Sequence, residues 1–238
     1  MKITFEIYYH TRWGESLFLS GDIDELGANE DNRAVMMDYQ GDGLWKYTME
    51  LPASAKKFHY EYLVKSGEGI RREWGSPHSF SPGKNAGEYR LVDRWRDVPA
   101  DLPFYSSAFI QGIFFRQHAD SVVETIEPGT LTVKVDASQL RPDERLVMVG
   151  DCPELGDWDV LKAPLLNDSA FPEWQITLDG KQLKFPFEYK FVIVRTHQRE
   201  VVAWETGENR ICREKPQNPS EAVVVSGLRF NGSESQWR

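Results

Sequence analysis

Cysteine is nearly absent: the 238 residues hold two, Cys152 and Cys212. Two thiols cannot build a disulfide framework, nor close a zinc site by themselves. One Cys152–Cys212 bridge stays open to them, but a reduced pair of small, half-buried residues is the expectation for a cytoplasmic chain. Long apolar runs are missing too. No stretch of 18 apolar residues occurs, so no membrane-spanning helix is expected. Residues Met1 to Glu6 hold no apolar signal core and pass straight into alternation, so the chain is expected in the cytoplasm. Positive charge is in short supply. The net charge is −9, and a nucleic-acid or anionic-membrane partner would need clustered cations, so neither is expected.

Catalytic signatures are equally scarce. The five histidines show no paired metal-ligand spacing, and neither a phosphate loop nor a Gly-x-Ser-x-Gly elbow is present. Acids gather at Asp22, Asp24 and Glu25, and at Asp151, Glu154, Asp157 and Asp159. They stand beside turn glycines, where capping or solvation is their usual role. Glycoside chemistry needs two carboxylates fixed across a cleft instead, and the spacing is not that of a calcium loop. No catalytic residue, metal or cofactor is expected.

What the chain has in plenty is aromatic surface: eight Trp, nine Tyr and thirteen Phe. Tryptophan is costly to expose, so it serves as core or as a binding platform. The chain also repeats itself. Phe18-Leu19-Ser20-Gly21-Asp22 before Leu26-Gly27 matches Val147-Met148-Val149-Gly150-Asp151 before Leu155-Gly156, 129 residues on. Trp45 matches Trp174 at the same offset, Tyr60-Glu61-Tyr62 matches Phe187-Glu188-Tyr189 at 127, and Arg72-Glu73-Trp74 matches Val202-Ala203-Trp204 at 130. A period that long is two copies of one domain and not a solenoid. Module one is placed at residues 1–98 and module two at 122–230. The stretch 99–121 is read as a proline-bearing linker whose apolar part, Phe104 to His118, docks on a module; residues 231–238 begin a further connection.

Each copy reads as β structure. Trp45, Tyr47, Met49 and Leu51 alternate with polar residues, and so do Trp174, Ile176 and Leu178. Phe185, Phe187, Tyr189, Phe191 and Ile193 line one face of a long strand, with Gly, Pro, Asn and Asp clusters between such runs. The expected fold is all-β, two tandem immunoglobulin-like antiparallel β-sandwiches. Trp45 and Trp174 are assigned to the cores.

Two tryptophans do not fit a sheet face. Trp158 follows Leu155-Gly156-Asp157 in a turn, and Trp204 follows Val201-Val202-Ala203 at a loop. One loop tryptophan alone is ordinarily packing over the end of a sandwich. Two in one module, with Lys190 facing outward from its strand and Asn209 nearby, suit a sugar. Indoles stack on pyranose faces, at roughly 0.5–1.5 kcal/mol per aromatic contact, while lysine and asparagine hydrogen-bond hydroxyls.

At this point a family is visible. Gly150-Asp151, Leu155-Gly156-Asp157-Trp158, Trp174, Phe187-Glu188-Tyr189-Lys190 and Trp204-Glu205-x-x-x-Asn209-Arg210 resemble the family-20 starch-binding module in order and spacing. Module one resembles it more loosely. The tandem, with Tyr8 to Leu17 and Leu102 to Phe109, is similar to the N-terminal half of the disproportionating 4-α-glucanotransferases. In that cytosolic family two such modules precede an amylomaltase-type catalytic domain. The resemblance implies a non-catalytic pair that binds α-glucan (starch, glycogen or maltooligosaccharide), with a catalytic domain after Arg238.

The resemblance also implies two binding surfaces per module. The first takes Trp158, Lys190, Trp204 and Asn209 in module two, with Glu205 beside Trp204. In module one it is degraded: Asn29 stands for the first Trp, Leu63 for the Lys, and only Trp74 survives, read as structural or a weak remnant. The second surface takes Trp13 and Tyr39 in module one, where module two has Pro142 and Asn167. A division of labour follows, module one binding through Trp13 and Tyr39, module two through Trp158 and Trp204. The competing reading is a protein-interaction scaffold or homodimer, formed through module one above all.

Overall fold

The structure is a computed structural model that describes residues 1–83, 87–98 and 126–232. The linker assigned to 99–121, with its docking stretch Phe104 to His118, and the last residues from 233 lie outside the described residues.

Module one contributes strands β1 (Lys2–Tyr8), β2 (Ser16–Gly21), β3 (Val35–Met36), β4 (Asp38–Gly41), β5 (Leu44–Glu50), β6 (Phe58–Ser66), β7 (Gly69–Arg72), β8 (His78–Phe80) and β9 (Glu88–Arg94). Module two contributes β10 (Thr130–Asp136), β11 (Glu144–Gly150), β12 (Asn167–Ala170), β13 (Glu173–Asp179), β14 (Phe187–Arg195), β15 (Val201–Trp204), β16 (Arg210–Cys212) and β17 (Glu221–Arg229). In module one a sheet of β4, β5, β1 and β9 faces a sheet of β3, β2, β6, β7 and β8. In module two β12, β13, β10 and β17 face β11, β14, β15 and β16.

Alternation decides which side chains fill each sandwich. Ile3, Phe5 and Ile7 of β1 enter core one with Tyr60 and Tyr62, and Leu131, Val133 and Val135 of β10 enter core two with Tyr189 and Phe191. Trp45 and Trp174 are 6 % and 0 % exposed. Their indole N–H groups donate to the carbonyls of Tyr9, at 3.0 Å, and Ala137, at 2.9 Å, so both are core residues in equivalent places. Cys152 and Cys212 are buried in core two and remain free thiols. Burial pushes the Cys152 thiol up to about 11 and raises that of Cys212 as well.

Not every pairing is antiparallel. β1 runs parallel to β9, β10 parallel to β17, and β9 parallel to β17. The last of these fuses the two modules, whose larger sheets make one sheet of eight strands in the order β12-β13-β10-β17-β9-β1-β5-β4. Leu91 and Val224 enter core one, whereas Val92, Val223 and Val225 enter core two. The sandwich cores therefore lie on opposite faces of the shared sheet. A palindromic strand order, a parallel central pair and opposed cores together define a pseudo-twofold axis along the β9/β17 seam.

Candidate functional site

Backbone hydrogen bonds place each module-two candidate over its module-one counterpart. After β11 the chain makes the 3-10 turn Pro153–Leu155, and Trp158 N–H donates to the Gly150 carbonyl at 2.8 Å. In module one, after the 3-10 turn Asp24–Leu26, Asn29 N–H donates to the Gly21 carbonyl at 2.7 Å. Asn29 is thus the counterpart of Trp158. Both are left-handed, φ +62° and +64°. Asparagine tolerates that region, while a bulky side chain there stores strain of about 1–3 kcal/mol.

Trp204 does not lie in a loop, as its sequence context suggested, but ends strand β15, where it stands opposite Val192 on β14 and is 43 % exposed because β15 is an edge segment with that face open. Trp158 packs against the cluster of Val147, Val149, Ala163, Val192 and Val194 on the outer side of the smaller sheet. The two indoles therefore flank the same valine. The covering loop is fixed by Arg199, whose guanidinium donates to the carbonyls of Val160, Leu161 and Ala163.

Lys190 lies two residues before Val192, on the same face. Its ammonium donates to the carbonyls of Glu205, Gly207 and Glu208 at 3.2, 2.6 and 3.2 Å. It pins the loop that joins Trp204 to Asn209. Asn209 is exposed, and its side-chain NH₂ donates to Glu188 at 2.8 Å. Trp158, Trp204, Lys190 and Asn209 are brought together on one side of module two.

Glu205 is placed differently. It is 4 % exposed and turned inward, pairing both carboxylate oxygens with Arg210 and accepting from Phe191 N–H at 3.3 Å. Arg210 continues to the carbonyls of Arg229 and Gly232. The Glu205 carboxylate braces the site from behind. Glu188, missed in the sequence reading, is the residue that orients Asn209. Its signal was its position two before Lys190 on an alternating strand.

Two module-one matches are corrected by register. Gly21 pairs with Tyr60 and Gly150 with Tyr189, so β6 and β14 match at 129 and not 127. The counterpart of Lys190 is Glu61, not Leu63. Glu73 N–H donates to the Tyr62 carbonyl and accepts Tyr62 N–H, as Glu205 does with Phe191. Glu73 therefore matches Glu205, and the counterpart of Trp204 is Arg72, not Trp74. Module two has three more residues between β14 and β15 than module one has between β6 and β7, which shifts everything beyond. In module one, Arg72 pairs with Glu61 and Asp31, so ion pairs occupy the ground that aromatics hold in module two. Trp74 is half-buried, with the Arg229 guanidinium 5.1 Å from its ring, and belongs to the junction.

Trp13 is fully exposed at the tip of a turn closed by Glu15 N–H to the Arg12 carbonyl at 3.0 Å and by Arg12 N–H to the Glu15 carboxylate at 2.8 Å. The same two bonds close Arg141 to Glu144, so Pro142 is the counterpart of Trp13. Tyr39 is exposed on β4, its ring 5.1 Å from that of Trp45 and its hydroxyl accepting Gly43 N–H at 3.3 Å. Tyr9 N–H donates to the Gly43 carbonyl at 2.8 Å, so the Trp13 loop and the Tyr39 hairpin leave the sheet at the same end. Asn167 faces Gln175 as Asp38 faces Lys46, so Asn167 falls one residue before the exact position of Tyr39. Among the described residues, no group of three or more His, Cys, Asp or Glu could hold a metal ion.

Paired β-sandwiches, each with exposed aromatic side chains, have the form of a tandem of binding modules. The chain belongs to the starch-binding domain family CBM_20, whose model matches residues 1–86 and 130–223. It is similar to the 4-alpha-glucanotransferase DPE2 of Oryza sativa subsp. japonica, 27% identical over 264 aligned positions, covering 100% of this chain and 26% of that protein. It is 34% identical over 73 residues to the AA13 family lytic polysaccharide monooxygenase A of Aspergillus terreus, covering 29% of this chain and 18% of that protein. Among solved structures, the family 20 module of the maltotetraose-forming amylase from Pseudomonas saccharophila STB07 is 19% identical, covering 40% of this chain and 98% of that chain, with a TM-score of 0.33. The chain spans about a quarter or less of the length of these two curated relatives. What the family model matches is binding module, twice, which supports α-glucan binding by this chain.

Proposed function

We propose that the two modules hold α-1,4-glucan, as starch, glycogen or maltooligosaccharide, for a 4-α-glucanotransferase catalytic domain of the amylomaltase type in the cytoplasm. Module two binds through Trp158 and Trp204, with Asn209 at the hydroxyls and Lys190 holding the loop between Trp204 and Asn209 in place, and module one through Trp13 and Tyr39. One observation carries the module-two site: a bulky, half-buried indole kept at φ +64° beside the exposed indole of Trp204, where the other module has an ordinary asparagine. Strain at a named position is a pointer to function. The enzyme context is supported by similarity along the whole chain to a relative named a 4-alpha-glucanotransferase. Two linked sites raise the hold on a branched polymer well above either one when both engage.

The test is a β-cyclodextrin titration by calorimetry of the wild type, of Trp158→Ala/Trp204→Ala and of Trp13→Ala/Tyr39→Ala. Each pair of substitutions should remove one class of site, and all four together should abolish binding. If only the module-two pair matters, module one is an interaction module. A wild type that gives no heat and no competition by glycogen sinks the reading.

A further inference from the structure

A cavity of about 600 Å³ opens in module one between the turn that carries Trp13 and the β6–β7 hairpin. Its walls include Tyr9, His10, Arg12, Glu15, Ile70 and Arg71. Arg71 is held in place. Its guanidinium lies 5.5 Å from the Tyr9 ring and 5.4 Å from the Trp95 ring, donates to the Tyr9 hydroxyl at 2.5 Å, and stands 3.5 Å from the Glu15 carboxylate.

Module two supplies the control on the same scaffold. There the longer hairpin reaches the turn, and the Thr196 N–H and hydroxyl both donate to the Asp143 carbonyl at 2.8 and 2.7 Å. By strand register Ala203, opposite Ile193, replaces Arg71, opposite Val64. Ala137 replaces Tyr9, since each accepts the central indole. Module one has thus kept open, and furnished with aromatic and paired polar groups, a gap that module two bridges.

We propose that this groove is a separate α-glucan subsite of module one, in which Arg71 and Glu15 bond sugar hydroxyls and Ile70 and Tyr9 meet the apolar faces of the rings. The proposal rests on the α-glucan reading above. A neutral polyol is favoured over an anion because the charges are balanced: Arg12 and Arg71 face Glu15 and Glu68, and an anion would have to displace Glu15 from Arg71. The exposed Trp13 stands at the tip of the turn that borders the groove, so a glucan stacked on its ring lies at the rim and can continue over the closed turn into it. The volume is that of a ligand cleft.

The experiment uses the whole chain carrying Trp158→Ala/Trp204→Ala, titrated by calorimetry with maltotriose and with maltoheptaose. Maltoheptaose, long enough to cross from Trp13 into the groove, should bind roughly ten-fold more tightly, the worth of one or two net hydrogen bonds. Arg71→Ala should remove that gain and leave maltotriose binding unchanged. Ile70→Asp, at an exposed position on β7, should do the same without touching the Arg71 contacts. Trp13→Ala should weaken both sugars. If Trp13→Ala weakens both while Arg71→Ala and Ile70→Asp leave the length dependence intact, the groove is not a subsite, although the platform reading stands. If neither sugar binds, or Trp13→Ala changes nothing, the module-one reading falls and the groove proposal with it.

Discussion

Trp158 shows how a single residue separates stability from function. Its backbone sits where asparagine is comfortable and tryptophan is not, and the other module has asparagine at that place. Trp158→Asn should therefore leave the thermal midpoint unchanged or raise stability by up to about 1 kcal/mol. The same change should weaken β-cyclodextrin binding at module two by about ten-fold, the loss of one ring contact of roughly 1.5 kcal/mol. A tryptophan serving only to pack would lose stability instead, and differential scanning calorimetry beside the titration decides. Glu205 is the reverse case. Its carboxylate is buried against Arg210 and does not face the surface. Glu205→Ala would strand a buried guanidinium and should cost about 3–5 kcal/mol in urea unfolding. Any loss of sugar affinity should follow from the loosened Trp204 loop.

At the level of strands, inside and outside were legible and register was not. Alternation gave both sandwiches, and put Trp45 and Trp174 in the cores, because a half-buried strand must alternate. The same periodicity concealed the slip at Tyr60-Glu61-Tyr62. Moving a strand by two residues keeps every side chain on its own face, so the pattern cannot distinguish Phe187 from Tyr189 as the partner of Tyr60. The hydrogen bonds can. The three-residue hairpin insertion misled the match of Trp74 for a different reason: a lone tryptophan attracts the eye, whereas the element that the two modules share is the inward Glu73 or Glu205. Trp13 and Tyr39 became candidates only through the family resemblance, whereas Trp158 and Trp204 were readable as candidates because neither fits an alternating run. The groove beside Trp13 was not, because it depends on how far a hairpin reaches.

The seam between the modules left a trace that alternation does not explain. Val223, Val224 and Val225 are consecutive apolar residues, the mark of a strand covered on both faces. Here β17 closes one core with Val224 and the other with Val223 and Val225. At Gly227, φ is +76°, and a Cβ would meet the Arg94 carbonyl oxygen at 2.4 Å. The β17 backbone passes β9 too closely for any side chain. Gly227→Ala should cost about 1–3 kcal/mol, the range for a forced left-handed residue pressed on backbone. It should also loosen β17 first, which hydrogen exchange at β9 and β17 amides would report.

On the scale of the whole molecule, the junction carries a polar core whose charge changes with pH. Ser226 from module two donates to Asp93 at 2.5 Å and sits 3.0 Å from His78 Nδ1, while His78 Nε2 is 3.1 Å from Glu73. With its own proton on Asp93, Ser226 accepts from Nδ1, and the imidazole donates from its other nitrogen to Glu73. Tyr60 and Tyr62 hydroxyls also donate to Asp93, and Arg96 donates to Glu73. Burial pushes the Glu73 carboxyl up, but His78 and Arg96 outweigh it and hold it down at about 2. Burial pushes His78 down, but Glu73 and Asp93 outweigh that and raise it. Asp136 is pushed up to about 6 by burial and by Glu173, against Arg96, Arg229 and His78.

The signs then follow from linkage. The Glu73 contribution is full above its ordinary value of 4.5 and is lost as pH falls from there toward about 2. The His78 contribution is full below 6.5 and is lost as pH rises through its raised folded value. Asp136 adds a loss as pH rises from 3.8 past about 6, since its carboxyl must ionise in place. The junction should therefore be most stable in mild acid, with the urea midpoint falling on both sides of a maximum between roughly pH 4 and 6. His78→Gln should lower the maximum and flatten the alkaline limb while leaving the fall below pH 4.5 in kind, because Arg96 still faces Glu73. A midpoint that rises steadily from pH 5 to pH 8, or an alkaline limb unaltered by His78→Gln, would show that the seam is held by its apolar strands alone and that the buried charges do not govern it.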